Sequence, residues 1–313
     1  GRGCTGAHGH DREPRQVRDS GAAMPILMLE GYFAPDELAE FSRRRLTAVV
    51  HSLEQVAMLE AACIDQPVDV YLKINTGMNR LGLTARDVVP ALTRLRACRN
   101  AGAITVMTHF ADADGSTGVA EQYARLMGIL AATGLVAQLP SSLANSAAIL
   151  RYPKTHADWV RPGITLYGCT PFADEPRSSA ASFGLEPVMT LASALIAIQD
   201  LRPGDHVGYG GTYTADKPMR IGIVACGYAD GYPRHAPGTN AKGTPILVGG
   251  RRTRTVGRVS MDMLYADITG LPEAQVGTPV TLWGEGLSAD EVAGAAGTVS
   301  YELLCALAPR VPV

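Results

Sequence analysis

Val68-Asp-Val-Tyr-Leu-Lys-Ile74, a helical pattern from Thr84 to Ala101, and then Ile104-Thr-Val-Met-Thr-His109 decide the fold. Two short apolar runs joined by one helix read as strand, crossover helix and parallel strand, a right-handed βαβ unit. Both runs end on polar side chains, Lys73 and His109, which suits a parallel barrel whose chemistry sits at the C-terminal ends of its strands.

The alternation continues in both directions. Upstream, Pro25-Ile-Leu-Met-Leu-Glu-Gly31 and Leu46-Thr-Ala-Val-Val-His51 predict strands, with helices over Pro35 to Arg44 and after Ser52. Downstream, a helix from Val119 to Ala132 leads to a weaker strand near Leu135 to Leu143. A helix over Ala144 to Leu150 and a sixth strand over Trp159 to Tyr167 follow. A complete eight-unit barrel takes roughly 250 residues, so six units in a much shorter stretch predict a partial TIM barrel with two units absent. Residues 1–23 show no helical or strand period and are expected to be an irregular remnant. The incomplete barrel is assigned to 24–184 and includes a linker, Ala173 to Ser182.

Beyond Glu186 the texture changes to short strands, among them Met189 to Ala197, Arg220 to Ala225 and Val280 to Trp283. Arg202-Pro-Gly-Asp205 and Gly249-Gly250 mark turns between them. Short helices are expected at Asp290 to Ala296 and Ser300 to Ala306. The fold class is α/β: a partial TIM barrel followed by a C-terminal all-β domain over 185–313.

A net charge of −2 gives no electrostatic pull toward nucleic acid or an anionic membrane, so a small-molecule partner is expected. The six cysteines are scattered, without zinc-ligand spacing, which favours a reducing cytoplasm and no metal site. No apolar run is long enough to span a membrane. Asp112 and Asp114 read as a solvated loop. The basic run Arg251-Arg-Thr-Arg254, preceded by two glycines, reads as an exposed hairpin rather than a nucleic-acid patch.

Polar residues cluster where the predicted barrel strands end: Lys73-Ile-Asn-Thr-Gly-Met-Asn-Arg80, Thr108-His-Phe-Ala-Asp-Ala-Asp114, Ser141-Ser-Leu-Ala-Asn-Ser146 and Arg161-Pro-Gly-Ile-Thr-Leu-Tyr167. Small residues such as Ser146 and Gly163 at a helix start expose N–H groups that suit a phosphate. Taken singly, each is ordinary turn chemistry. Taken in order they resemble the alanine racemases, as do Val207-Gly-Tyr-Gly-Gly-Thr-Tyr213, Gly227-Tyr-Ala-Asp-Gly-Tyr-Pro-Arg234, Val256-Gly-Arg-Val-Ser-Met-Asp262, Tyr301-Glu-Leu-Leu-Cys305 and Arg310-Val-Pro312. The resemblance runs from about Met24 to Val313.

It implies interconversion of L- and D-alanine on pyridoxal phosphate, for peptidoglycan precursors, in a homodimer whose active sites draw on both chains. Tyr209 would be the acid–base group on one face of the substrate. A phenol of ordinary pKa, about 10, is a weak base at neutral pH, so neighbours are expected to assist it. Arg161 would face the pyridine nitrogen, with His109 orienting it. Ser146, Gly163 and Ile164 would hold the phosphate, with Asn145 and Tyr167 beside them in the cofactor-binding set. Arg80 and the Met261 backbone N–H would meet the substrate carboxylate, while Tyr228 and Arg234 narrow the entrance.

Two departures from the family pattern stand out. The Lys-Ala-Asn-Ala-Tyr-Gly-His-Gly motif that supplies the Schiff-base lysine does not occur. His8-Gly-His10 is not that motif, and none of Lys73, Lys154, Lys217 and Lys242 has its context. Lys73 resembles instead the lysine that in some relatives is carbamylated and buttresses the arginine matched by Arg80. A phosphate-binding tyrosine near the family's C-terminus is placed at Pro309 here, leaving the cup fewer hydroxyls. These 313 residues by themselves are therefore expected to have negligible racemase activity. The alternatives are a non-catalytic cofactor binder or dimer partner of the same fold, and a racemase of broader amino-acid range.

Overall fold

The computed structural model describes residues 17–134, 139–172, 175 and 178–312. His8-Gly-His10, the start of the expected Leu135–Leu143 strand and part of the expected linker lie outside the described residues. By contact density the chain divides into two compact units, residues 1–162 and 163–313.

In the first unit six strands form one sheet in chain order, every neighbouring pair parallel. They are β1 (Ile26–Met28), β2 (Leu46–Val50), β3 (Val68–Lys73), β4 (Ala101–Met107), β5 (Ser141–Asn145) and β6 (Trp159–Arg161). Helices α1 (Glu37–Arg44), α2 (Leu53–Ala61), α3 (Ala85–Ala97), α4 (Ala120–Ala132) and α5 (Ser146–Arg151) make the crossovers. This is a parallel half-barrel of TIM type. All five residues of β2 are buried, as a strand covered on both faces requires.

Local chemistry sets the helix ends. Ser52 caps α2 by accepting from Gln55 N at 3.2 Å. At the other end of α2, the buried Asn100 amide donates to Leu59 O (2.8 Å) and Ala62 O (2.7 Å). In α1 Glu37 and Glu40 occupy the first turn and Arg43 and Arg44 the last, matching the helix dipole.

Three elements differ from expectation. The sixth strand ends at Arg161 instead of running to Tyr167, because Pro162 has no N–H to continue the ladder, and a 3-10 turn, Ile164–Tyr167, follows. The third helix ends at Ala97, and Ala101 already begins β4. The fifth strand sits C-terminal to its expected position, ending at Asn145. The N-terminal stretch also carries order: the Arg18 guanidinium donates to Ala22 O (2.6 Å), Met24 O (3.0 Å), Arg44 O (3.1 Å) and Arg45 O (3.1 Å).

The second unit is built on the strands β7 (Leu191–Leu201), β10 (Met219–Val224), β11 (Pro245–Val248), β12 (Arg251–Arg254), β13 (Leu264–Asp267) and β14 (Pro279–Trp283). They form an antiparallel sheet ordered β12-β11-β14-β7-β10-β13. The short β8 (His206–Val207) and β9 (Tyr213–Thr214) pair separately. Helices α6 (Ala289–Ala296) and α7 (Ser300–Cys305) close the chain. Trp283 and Tyr232 stack in the core, ring centroids 6.0 Å apart. Ile164 and Cys169 pack into this same core, so the contact-based division falls at 162/163.

Among the described residues no helix is long and apolar enough to cross a membrane, and no group of three or more His, Cys, Asp or Glu could hold a metal ion.

Candidate active site

At the C-terminal end of the half-barrel, β6 delivers Arg161 against the ends of β4 and β5. The guanidinium donates to Ser142 Oγ (2.6 Å), Thr108 O (2.7 Å) and Leu143 O (3.2 Å) and contacts His109 Nδ1 at 3.4 Å. An arginine only donates, so Nδ1 must accept, and His109 is the neutral tautomer with its proton on Nε2. Burial, then the positive Arg161, Arg80 and Lys73, push the His109 pKa down to about 4. Burial lowers Arg161 itself to about 10, and it makes no ion pair among the described residues.

Lys73 ends β3 and is only 7% exposed, its pKa lowered by burial and then by Arg80 and Arg161. The loop carrying Arg80 is braced from beneath. Asn75 Oδ1 accepts from Gly77 N and Asn79 N, and Thr76 and Thr108 share a 2.7 Å hydroxyl contact. Gln122 and Arg125 from α4 reach Thr76 at 3.1 and 3.0 Å. Asn145 caps α5 through Ala148 N (3.1 Å) and donates to Phe110 O (3.2 Å), fixing the buried Ser146 beside the end of β4.

In the second unit, the 3-10 turn begins at Gly163 and Ile164. Ile164 N–H donates to the Tyr301 hydroxyl at 3.3 Å, and a Cβ on Gly163 would lie 3.2 Å from that oxygen. The tyrosine hydroxyl at this turn is that of Tyr301. Helix α7 carries its hydroxyl to the turn, while Pro309 lies in the tail beyond the helix. Tyr301 stood in a matched motif, but nothing in its spacing told which tyrosine reaches Ile164. Tyr167 ends the same turn, half exposed.

Tyr209 stands on a short turn between β8 and β9 and is 72% exposed. Gly208, at φ +67, lets that turn lie against the Tyr265 ring and the Arg258 backbone, where a side chain would collide. Elsewhere in the unit Tyr228, Arg234 and Met261 come together. Tyr228 N donates to Ser260 O (3.1 Å), Ala229 N donates to Met261 O (2.9 Å), and the Arg234 guanidinium lies 5.9 Å from the Tyr228 ring centre.

The donors present suit the anionic and basic groups of pyridoxal phosphate. The charges that lower the His109 pKa are all positive, Arg161, Arg80 and Lys73, so cations gather at the rim of the half-barrel, with Glu30 acting on Lys73 from the opposite sign. Arg161 is held as a fixed cation. The Ile164 N–H is satisfied by a side-chain hydroxyl that an anion oxygen can replace. The Lys-Ala-Asn-Ala-Tyr-Gly-His-Gly motif does not occur in these 313 residues. A parallel half-barrel with such a cluster at its strand ends, followed by an antiparallel unit, is the plan of the fold type III pyridoxal phosphate enzymes.

Comparison with known proteins carries this further. The family model described as alanine racemase, N-terminal domain, matches residues 9–171, and that of the alanine racemase C-terminal domain matches 188–313. The first match begins within the stretch that sequence patterning leaves without an element. An alanine racemase of Ralstonia pickettii is 54% identical over 301 residues, 96% of this chain and 79% of the relative. The crystal structure of the biosynthetic alanine racemase from Pseudomonas aeruginosa superposes with a TM-score of 0.88 at 47% identity, over 96% of this chain and 81% of that one. The alanine racemase structure from Acinetobacter baumannii gives 0.86 at 37% identity, over 96% and 82%. The chain belongs to the alanine racemase family, whose members are pyridoxal phosphate-dependent isomerases.

Proposed function

We propose that this protein is an alanine racemase of the bacterial cytoplasm, interconverting L- and D-alanine for peptidoglycan precursors. The observation that carries the reading is Arg161: a part-buried guanidinium with no carboxylate partner among the described residues, held by Ser142, Thr108, Leu143 and a neutral His109. When bound, pyridoxal phosphate supplies the electron sink that makes the alanine α-proton acidic. Arg161, as a cation, would face the ring nitrogen, keep it unprotonated and temper that sink. Ser146, Gly163, Ile164 and Tyr301 would hold the phosphate, with Asn145 and Tyr167 supporting them. Arg80 and the Met261 N–H bind the substrate carboxylate, and Tyr228 and Arg234 restrict side-chain size.

Tyr209 takes or returns the α-proton at its Oη on one face. Its exposure, with that of Met261 (54%) and Tyr228 (37%), supports a homodimer in which a second copy covers this face and both chains build each site. The group for the opposite face is the motif's lysine.

The test is alanine racemisation, with added pyridoxal phosphate, by the 313-residue polypeptide and by the same residues joined to a segment bearing Lys-Ala-Asn-Ala-Tyr-Gly-His-Gly. Turnover by the lysine-bearing form alone supports the reading. Loaded protein of that form that leaves both enantiomers untouched defeats it.

A further inference from the structure

The C-terminal segment reaches back to the loops that carry the substrate-side residues. Arg310 Nε donates to Asp230 Oδ1 at 2.7 Å, and its Nη2 donates to Asp262 Oδ1 at 2.6 Å. Asp230 lies two residues after Tyr228, and Asp262 directly follows Met261. Asp230 is further engaged: its Oδ2 accepts from Gly227 N (2.8 Å), and its backbone oxygen accepts from Ala308 N (3.1 Å). A Cβ at Gly231 would lie 2.4 Å from Ala306 O, so the tail is seated on the loop backbone to backbone.

We propose that Arg310 is a positioning residue for substrate carboxylate binding: one guanidinium ties the 227–231 and 260–262 loops into one register and offsets one of the two negative charges that Asp230 and Asp262 bring to the loops carrying Tyr228 and Met261. The inference rests on the reading that Met261 faces the substrate.

Two effects follow from the geometry. A planar guanidinium holds two acceptors at a fixed separation, which a lysine ammonium does not reproduce. Unneutralised, Asp230 and Asp262 would repel the carboxylate of alanine. The Arg310–Asp262 pair is surface-exposed on both sides, at 48% and 56%, and adds little to global stability; Asp230 is only 19% exposed but keeps its bond from Gly227 N without Arg310. The role is therefore separable from folding.

The experiment compares Arg310→Met and Arg310→Lys with the unchanged protein. Hydrogen exchange on the 313-residue polypeptide should rise in both loops together in Arg310→Met, with the β7–β10–β14 amides unaffected. In the lysine-bearing form, KM for alanine should rise about tenfold with kcat within about twofold, since a ground-state binding contact is lost. The dissociation constant of propionate, alanine without its amino group, should rise in parallel. Arg310→Lys should recover part of the propionate affinity, because it keeps the charge and loses the fork.

Unchanged KM and propionate affinity would overturn the proposal, as would exchange rising in one loop only or across the whole sheet. If the unchanged lysine-bearing form does not racemise alanine, the functional reading fails instead, and hydrogen exchange still reports on the clamp.

Discussion

Arg161 and His109 form the electrostatic centre of the half-barrel rim, and the pair has a pH signature. The folded His109 pKa, about 4, lies below the ordinary value of about 6.5. Between these values the unfolded chain binds a proton that the folded chain refuses, so stability falls as pH drops from about 6.5 to 4 and is unaffected above that window. Discounted for residual solvent contact, the loss is about 2 kcal/mol. Denaturant unfolding of the 313-residue polypeptide at pH 7 and pH 4.5, against His109→Asn, checks it: the variant should lose less stability on acidification. Equal losses would mean that the imidazole is not held neutral. Motif order and the family resemblance pointed to both residues from the sequence. The tautomer was not legible there, because it depends on four acceptors, including two backbone oxygens from different strands.

At the scale of elements, the loops of the second unit are set by close backbone approach. Gly227 has an extended φ of −145°, which any residue adopts, yet a Cβ there would lie 2.3 Å from Met261 O and 2.4 Å from Ser260 O. Gly227→Ala must push the 227–231 loop off the 260–262 loop, and it should destabilise the protein by about 1–3 kcal/mol. Equilibrium unfolding reads this; a change below a few tenths would show that the loops separate freely. Strands and helices were largely legible, because parallel strands read as continuous apolar runs and the helices carry caps such as Ser52 and Asn145. The misplaced ends have local causes: Pro162 stops β6, and Asn145 ends β5 by turning to cap α5. The position of Tyr301 was not legible, since a hydroxyl meeting Ile164 N across 137 residues leaves no local pattern.

On the scale of the whole molecule, the account requires two chains per site. An Arg161→Met variant and a Tyr209→Phe variant, both in the lysine-bearing form, should each be nearly inactive. Mixed after reversible dissociation, half of the dimers are hybrid and each hybrid has one intact site, so about a quarter of the unmutated activity should return. Recovery of none would place Tyr209 and Arg161 of one chain in the same site. The half-barrel followed by a β unit was readable from the alternation of elements; a shared site was implied only by the family resemblance, because the exposure of Tyr209 is visible only in the fold.

The most direct measurement follows L-alanine in D2O with the lysine-bearing, cofactor-loaded protein, reading both chirality and deuterium at Cα. D-alanine carrying deuterium at Cα is the expected product, with its formation abolished in Tyr209→Phe. Full activity in Tyr209→Phe, or no D-alanine from the loaded protein, would contradict the assignment of this site to the racemisation of alanine.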